Sequence, residues 1–184
     1  CLVGSLTLFT AWFFRNPSRI IPQGRSLIVS PGDGTVVAVE HEFEHRYLKE
    51  PSVRISIFLN VFNVHINRMP IAGIVQDVVY TPGQFVAANR PEASGDNEQN
   101  ALMLRRSDGK KILCVQIAGL IARRIVCWVM PGEQVETGER FGLIRFGSRM
   151  DVYLPHDSAI QVKVGSKVKG GSSILAELLC AEHS

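Results

Sequence analysis

Three stretches of this 184-residue chain hold side chains whose types and spacing could do chemistry. SPGDGTVV (30–37) sets Asp33 between two glycines. FLNVFNVHINRMPIAG (58–73) sets His65 among apolar and amide residues, with Arg68 three positions on. RFGSRMD (145–151) sets a Gly-Ser pair between two arginines. An aspartate flanked by glycines is ordinary turn chemistry, because its side chain bonds nearby backbone. A single histidine in apolar company is more often a hydrogen-bonded core residue than a proton carrier. Around Gly147, Phe146, Met150 and Val152–Leu154 favour a half-buried strand, in which glycine packs nothing and costs backbone entropy. The pair is therefore a bulge or tight bend, or the Gly147–Ser148 peptide bond is itself a reactant. No one stretch decides the matter alone.

The elements that must position these groups read mainly as β. LIVSPGDGTVVAV (27–39) reads as strand, turn, strand. VRISIFL (53–59) alternates apolar and polar residues as a half-buried strand does, and IVQDVVY (74–80) is another strand. ALMLRR, KILCVQIAGL and ARRIVCWVM are three further β-rich runs, with an SDGKK turn after the first. No helical period shows between residues 20 and 170. Residues 81–100, TPGQFVAANRPEASGDNEQN, form a long polar stretch, and such loops in small domains are usually functional. A short repeat, G-x-x-V-x-x-G, occurs as GEQVETG (132–138) and GSKVKGG (165–171), each before an apolar run. Two such units predict a β-sandwich with pseudo-twofold halves; they resemble the repeats of lipoyl- and biotinyl-carrier domains, which implies a lipoyl-like barrel-sandwich hybrid. A lipoyl or biotinyl carrier would need an exposed lysine at a hairpin tip, and no such context is present. GGSSIL (170–175) holds a second Gly-Ser bond, but without the RFGSR surroundings.

Composition bounds the rest. Hydrophobic residues make up 46% and charged residues 20%, the balance of a folded domain. The net charge of +3 suits an anionic small molecule or membrane surface and is too weak to argue for nucleic acid. Cys1, Cys114, Cys127 and Cys180 are widely spaced and form no CxxC pair, so metal-ligand spacing is absent and a reducing compartment fits. The first 14 residues carry no charge; as a helix they would span about 21 Å, short of the roughly 30 Å hydrocarbon core. They read as a membrane-associated segment, the end of a spanning or re-entrant helix, or a buried N-terminal helix. Arg15 and Arg19 behind them fit an interfacial, cytoplasmic-side edge and would add roughly 1 kcal/mol each against anionic lipid. The expected division is a segment 1–20 and a single domain 21–184.

Taken together and in order, these stretches resemble the phosphatidylserine decarboxylases, in their short bacterial and archaeal form. The resemblance runs from FFRNPSR (13–19) through SPGDGTVV, FLNVFNVHINRMPIAG, TPGQFVAAN, NEQN (97–100) and QIAGLIARRIVCW (116–128) to RFGSR and DVYLP. It implies a proenzyme that cuts itself at Gly147–Ser148, leaving a β chain 1–147 and an α chain 148–184 capped by a pyruvoyl group made from Ser148. It further implies a Schiff base between that carbonyl and the substrate amine, and phosphatidylethanolamine as product. Matched residue by residue, Ser148, His65 and Asp33 are the implied catalytic set, with Asp33 helping a histidine act as base. Longer members of the family carry a second histidine where this chain has Arg68, and arginine is no general base near neutral pH, so either His65 serves both steps or Asp33 acts without a histidine relay. Arg68, Phe85 and Asn97 are candidate substrate contacts. Expected partners are phosphatidylserine, an anionic membrane surface and the two chains of one precursor, with self-association left open. Two rival readings are a pyruvoyl decarboxylase of a soluble amino acid and a non-catalytic β-sandwich that binds a membrane partner.

Overall fold

The computed structural model describes residues 2–84, 97–119, 124–144 and 147–179, the side chains of Leu2 and Leu6 aside. One helix, α1 (Leu2–Phe13), precedes strands β1 (Leu27–Val29), β2 (Gly34–Glu44), β3 (Glu50–Leu59), β4 (Ile66–Arg68), β5 (Gly73–Thr81), β6 (Gln99–Arg105) and β7 (Lys111–Ile117). Then come β8 (Ile125–Cys127), β9 (Gln134–Val135), β10 (Arg140–Ile144), β11 (Ser148–Pro155), β12 (Ala159–Ile160), β13 (Lys167–Val168) and β14 (Ile174–Glu177). The expected mainly β class holds. An antiparallel sheet in the order β13-β2-β3-β11-β7-β6-β5-β9 curls into a half-barrel, joined by two three-stranded sheets, β1-β14-β12 and β4-β10-β8.

Alternation explains how the main sheet splits its two faces. On β3, Ile55, Ile57 and Leu59 enter the principal core beside Met150, Val152 and Leu154 of β11. The intervening residues Arg54 and Ser56, like Arg149 and Asp151 on β11, occupy the other face. There, Leu48, Ala101, Leu113, Val115 and Ile117 build a second, smaller cluster against Tyr47 and Tyr153. Strand β11 is central, paired with β3 on one side and β7 on the other.

The two G-x-x-V-x-x-G units make corresponding bonds. Gly132 donates to the Val75 carbonyl, and Gly165 to that of Val36 (both 2.8 Å); Gly138 donates to Met69 and Gly171 to Ser30 (both 2.8 Å). All four glycines have φ between 77° and 93°, which residues with a Cβ adopt only under strain. The segments they bind cross reciprocally, Val29 donating to Pro70 and Arg68 to Pro31 (both 2.8 Å). Bulges at Val36/Ala38 and Val75/Asp77 complete the correspondence.

Helix α1 has 12 residues, a length of about 18 Å. Among the described residues no helix is long and apolar enough to cross a membrane. Val3 and Leu8 are largely exposed, whereas Phe13 is 1% exposed.

Candidate functional site

The Gly-Ser pair lies where the chain passes between sheets, not within one strand as its flanks predict. Strand β10 belongs to the β4-β10-β8 sheet, and β11 opens at Ser148 in the main sheet. Gly147, at this crossing, has φ +64°, a left-handed conformation that glycine adopts at little cost. A Cβ there would meet nothing within 4 Å among the described residues. Ser148 is fully buried, and its hydroxyl has no hydrogen-bond partner among the described residues.

Pairing register brings the other two stretches to the same end of the fold. Ser148 lies opposite Leu59 on β3, next to the Phe58 position that pairs with Thr35 of β2. The turn holding Asp33 thus lies beside Leu59, and Gly32 packs against that side chain. His65 just precedes β4, and its carbonyl accepts the Ile144 N–H at 3.3 Å. Three residues of chain, at most about 11 Å, separate Ile144 from Gly147.

His65 is 2% exposed, and its imidazole stacks on Phe13, with centroids 4.1 Å apart and planes at 28°. Burial, helped by the Arg15 charge, lowers its pKa from 6.5 to about 4, against opposing contributions from Asn63 and Asp33. The imidazole is therefore neutral at ordinary pH and available to accept a proton. The Asp33 carboxylate is held by Arg19, whose Nη2 donates to both oxygens (2.9 and 2.8 Å), and by the Gly170 N–H (2.8 Å). Its influence on His65 acts across space. This disposition differs from an aspartate bonded to the imidazole as base helper, because the Arg19 guanidinium outcompetes a neutral ring for a carboxylate.

Arg68 ties the connector to a repeat turn. It donates to the Gly138 carbonyl (2.9 Å), the Asn16 side chain (2.8 Å) and the Pro17 carbonyl (3.4 Å). Burial and the nearby Arg19 and Arg140 lower its pKa from 12.5, with Asp33 opposing. Asn97 is buried and donates to the Ala118 carbonyl at 2.7 Å, closing the base of the long loop. Phe85 lies outside the described residues. Arg15 and Arg19, expected to face lipid, are engaged elsewhere. Arg15 lies over the Trp12 ring and donates to the Trp12 and Phe62 carbonyls, and the Arg19 side chain is 10% exposed in its ion pair.

Sequence reasoning missed a buried amide chain at this end of the core. Asn100 donates to Gln116 (3.0 Å), which donates to Asn67 (2.8 Å); the Asn67 amide nitrogen has no partner among the described residues. Asn67 and Asn100 stood inside quoted motifs, but no regular spacing linked them. Among the described residues no cluster of three or more His, Cys, Asp or Glu could hold a metal. Cys114 and Cys127 are free thiols.

The family profile described as phosphatidylserine decarboxylase matches residues 6–176. Curated relatives include the phosphatidylserine decarboxylase proenzyme of Syntrophus aciditrophicus, 56% identical over 92% of this chain and 79% of its own length. The proenzymes of Ralstonia pickettii (51%; 94% of this chain, 80% of its own) and Desulfotalea psychrophila (48%; 94% and 81%) are similar along the same span.

Proposed function

The chain belongs to the phosphatidylserine decarboxylase family, and on that premise we propose that it converts phosphatidylserine to phosphatidylethanolamine after cutting itself at Gly147–Ser148. The observation that carries the site assignment is the left-handed Gly147 joined to a buried Ser148 hydroxyl with no partner among the described residues. In the reading we adopt, Ser148 Oγ attacks the Gly147 carbonyl carbon and the C–N bond breaks, giving an ester and a free amine. Loss of the Ser148 Cα proton then expels the Gly147 carboxylate. Water releases ammonia from the dehydroalanine, leaving a pyruvoyl group at residue 148.

An amide is a poor electrophile, so the first step needs an unhindered carbonyl and a base for the hydroxyl. The backbone at Gly147 supplies the former. His65 is our candidate for the latter: burial makes it a weak base but keeps it unprotonated. Asp33, fixed by Arg19 and Gly170, adds the negative charge that favours an imidazolium once formed.

The residues present fit the resulting group, because Ser148 opens a buried central strand. The pyruvoyl carbonyl supplies an electron sink for the pair left behind as carbon dioxide departs. Around it, His65 can hold a proton, and the Asn100–Gln116–Asn67 chain provides oriented amides in a space closed to bulk water. Arg68, Phe85 and Asn97 remain our candidate substrate contacts. Asn97 would act by fixing the loop that carries Phe85.

We also propose a membrane-surface location on the cytoplasmic side. The exposed Val3, Leu8, Phe9 and Trp12 of α1, together with Phe14 and Phe62, support it. The corresponding bonds of the two repeats support a lipoyl-like barrel-sandwich hybrid in a domain 21–184, following a segment 1–20.

The test is decarboxylation of phosphatidylserine in mixed vesicles, with free serine as the alternative substrate. We expect release from the lipid, and phenylhydrazine labelling of the 148–184 fragment. Release from serine alone would favour the soluble-substrate reading.

A further inference from the structure

The FFRNPSR connector supplies no reacting group to the chemistry above, yet it touches both polar groups assigned to that chemistry. Phe13 turns inward from a helix end whose neighbours Trp12 and Phe14 are 41% and 43% exposed, and its ring stacks on His65. Six positions on, Arg19 spans both oxygens of Asp33. Between them Asn16 and Pro17 are held by Arg68. The connector is thus pinned at three points, two of which are the histidine and the aspartate themselves.

We infer that Phe13 and Arg19 are positioning residues for self-processing: Phe13 fixes the plane of the His65 imidazole, and Arg19 fixes the Asp33 carboxylate. The inference rests on the assignment of His65 and Asp33 made above.

A flat ring against the imidazole blocks rotation about its Cβ–Cγ bond and leaves the ring nitrogens at the edge. The His65 backbone is already held through Ile144, so the stack removes the side chain's last large freedom. Arg19 acts similarly on Asp33. One guanidinium nitrogen bridges both oxygens while the Gly170 N–H holds Oδ1, so the carboxylate plane is set from two sides. The pair is shielded, with side chains 10% and 15% exposed, so solvent screens it less than a surface pair. Helix α1 offers Val3, Leu8 and Trp12 outward and delivers Phe13 inward. The apolar surface and the site geometry therefore share one element.

The test follows self-cleavage of freshly synthesised full-length chain on denaturing gels. Phe13→Leu keeps apolar volume but loses the flat ring, and Arg19→Gln loses the charge. Each should slow cleavage at least roughly tenfold, the scale of a small misplacement of a reacting group. Phe13→Tyr and Arg19→Lys should largely restore the rate, and Thr7→Ala, at an exposed position of the same helix, should cleave like the parent. Millimolar guanidinium should speed Arg19→Gln.

A second readout is NMR titration of His65 in the uncut Ser148→Ala protein. The charged groups acting on the ring are Arg15 and Asp33. Phe13→Leu should move the midpoint up from about 4 as the ring gains solvent. If Phe13→Leu and Arg19→Gln cleave at the parent rate while His65→Ala and Asp33→Asn do not cleave, the inference is wrong and the site assignment stands. If all four cleave normally, both fall.

Discussion

The ring of Phe13 stacks on the imidazole of His65, with centroids 4.1 Å apart. Burial, with the Arg15 charge beside it, holds the histidine neutral and gives the site its expected response to acid. The His65 pKa is about 4 in the folded chain, against an ordinary 6.5. Between these values the unfolded chain binds more protons. The stabilising contribution is therefore complete above about pH 6.5 and is lost as pH falls through about 4, by up to roughly 3 kcal/mol. Urea unfolding of Ser148→Ala at about pH 7 and about pH 4.5 should show the loss, and His65→Phe should shrink it.

Gly147→Ala should slow self-cleavage without unfolding the chain. Its φ of +64° costs an L-residue roughly 1–2 kcal/mol, and no described atom lies within 4 Å of the added Cβ. The penalty falls on the reacting backbone, not on packing. Cleavage rate and thermal midpoint, measured together, check this: the rate should drop by roughly an order of magnitude, while the midpoint falls by only about 2–8 °C and the chain stays folded.

Asp151→Ala should destabilise the fold strongly. Arg149 bonds both Asp151 oxygens at 3.0 Å, with side chains 3% and 1% exposed, and Arg54 lies 3.7 Å away. Removing the carboxylate takes the Asp151 counter-charge from a buried arginine, which costs about 3–5 kcal/mol. Denaturant unfolding of the uncut protein measures it, and Asp151→Asn, which keeps an acceptor, should lose less.

Cleavage should not release the α chain. Strand β11, its first element, pairs with β3 from Ser148 to Pro155 and with β7 from Arg149 to Tyr153. β13 and β14 are likewise held by β2 and β1. Native mass measurement should give one complex where a denaturing gel gives two chains.

Much of this architecture was legible locally. Val53–Leu59 alternates, and the alternation sorts its side chains between the two faces of the main sheet, with Ile55, Ile57 and Leu59 toward the principal core. The glycines of the repeat mark the turns where φ is positive. What stayed hidden is non-local. The flanks of Gly147 have strand propensity on both sides, but propensity does not say that the two strands belong to different sheets. Arg19 follows an apolar run and so read as lipid-facing; only the fold brings it to Asp33. The Phe13–His65 stack and the Asn100–Gln116–Asn67 chain likewise join residues far apart in sequence. The candidate site was legible as residue types, and its wiring was not.

The central claim is that the Gly147–Ser148 bond is a reactant. Intact mass under denaturing conditions, on freshly purified protein beside Ser148→Ala, tests it most directly. The account predicts two fragments for the parent, 1–147 and 148–184, the second lighter by the change from serine to pyruvoyl, and one whole chain for the variant. A single full-length mass for the parent, or the same cut in Ser148→Ala, would contradict it.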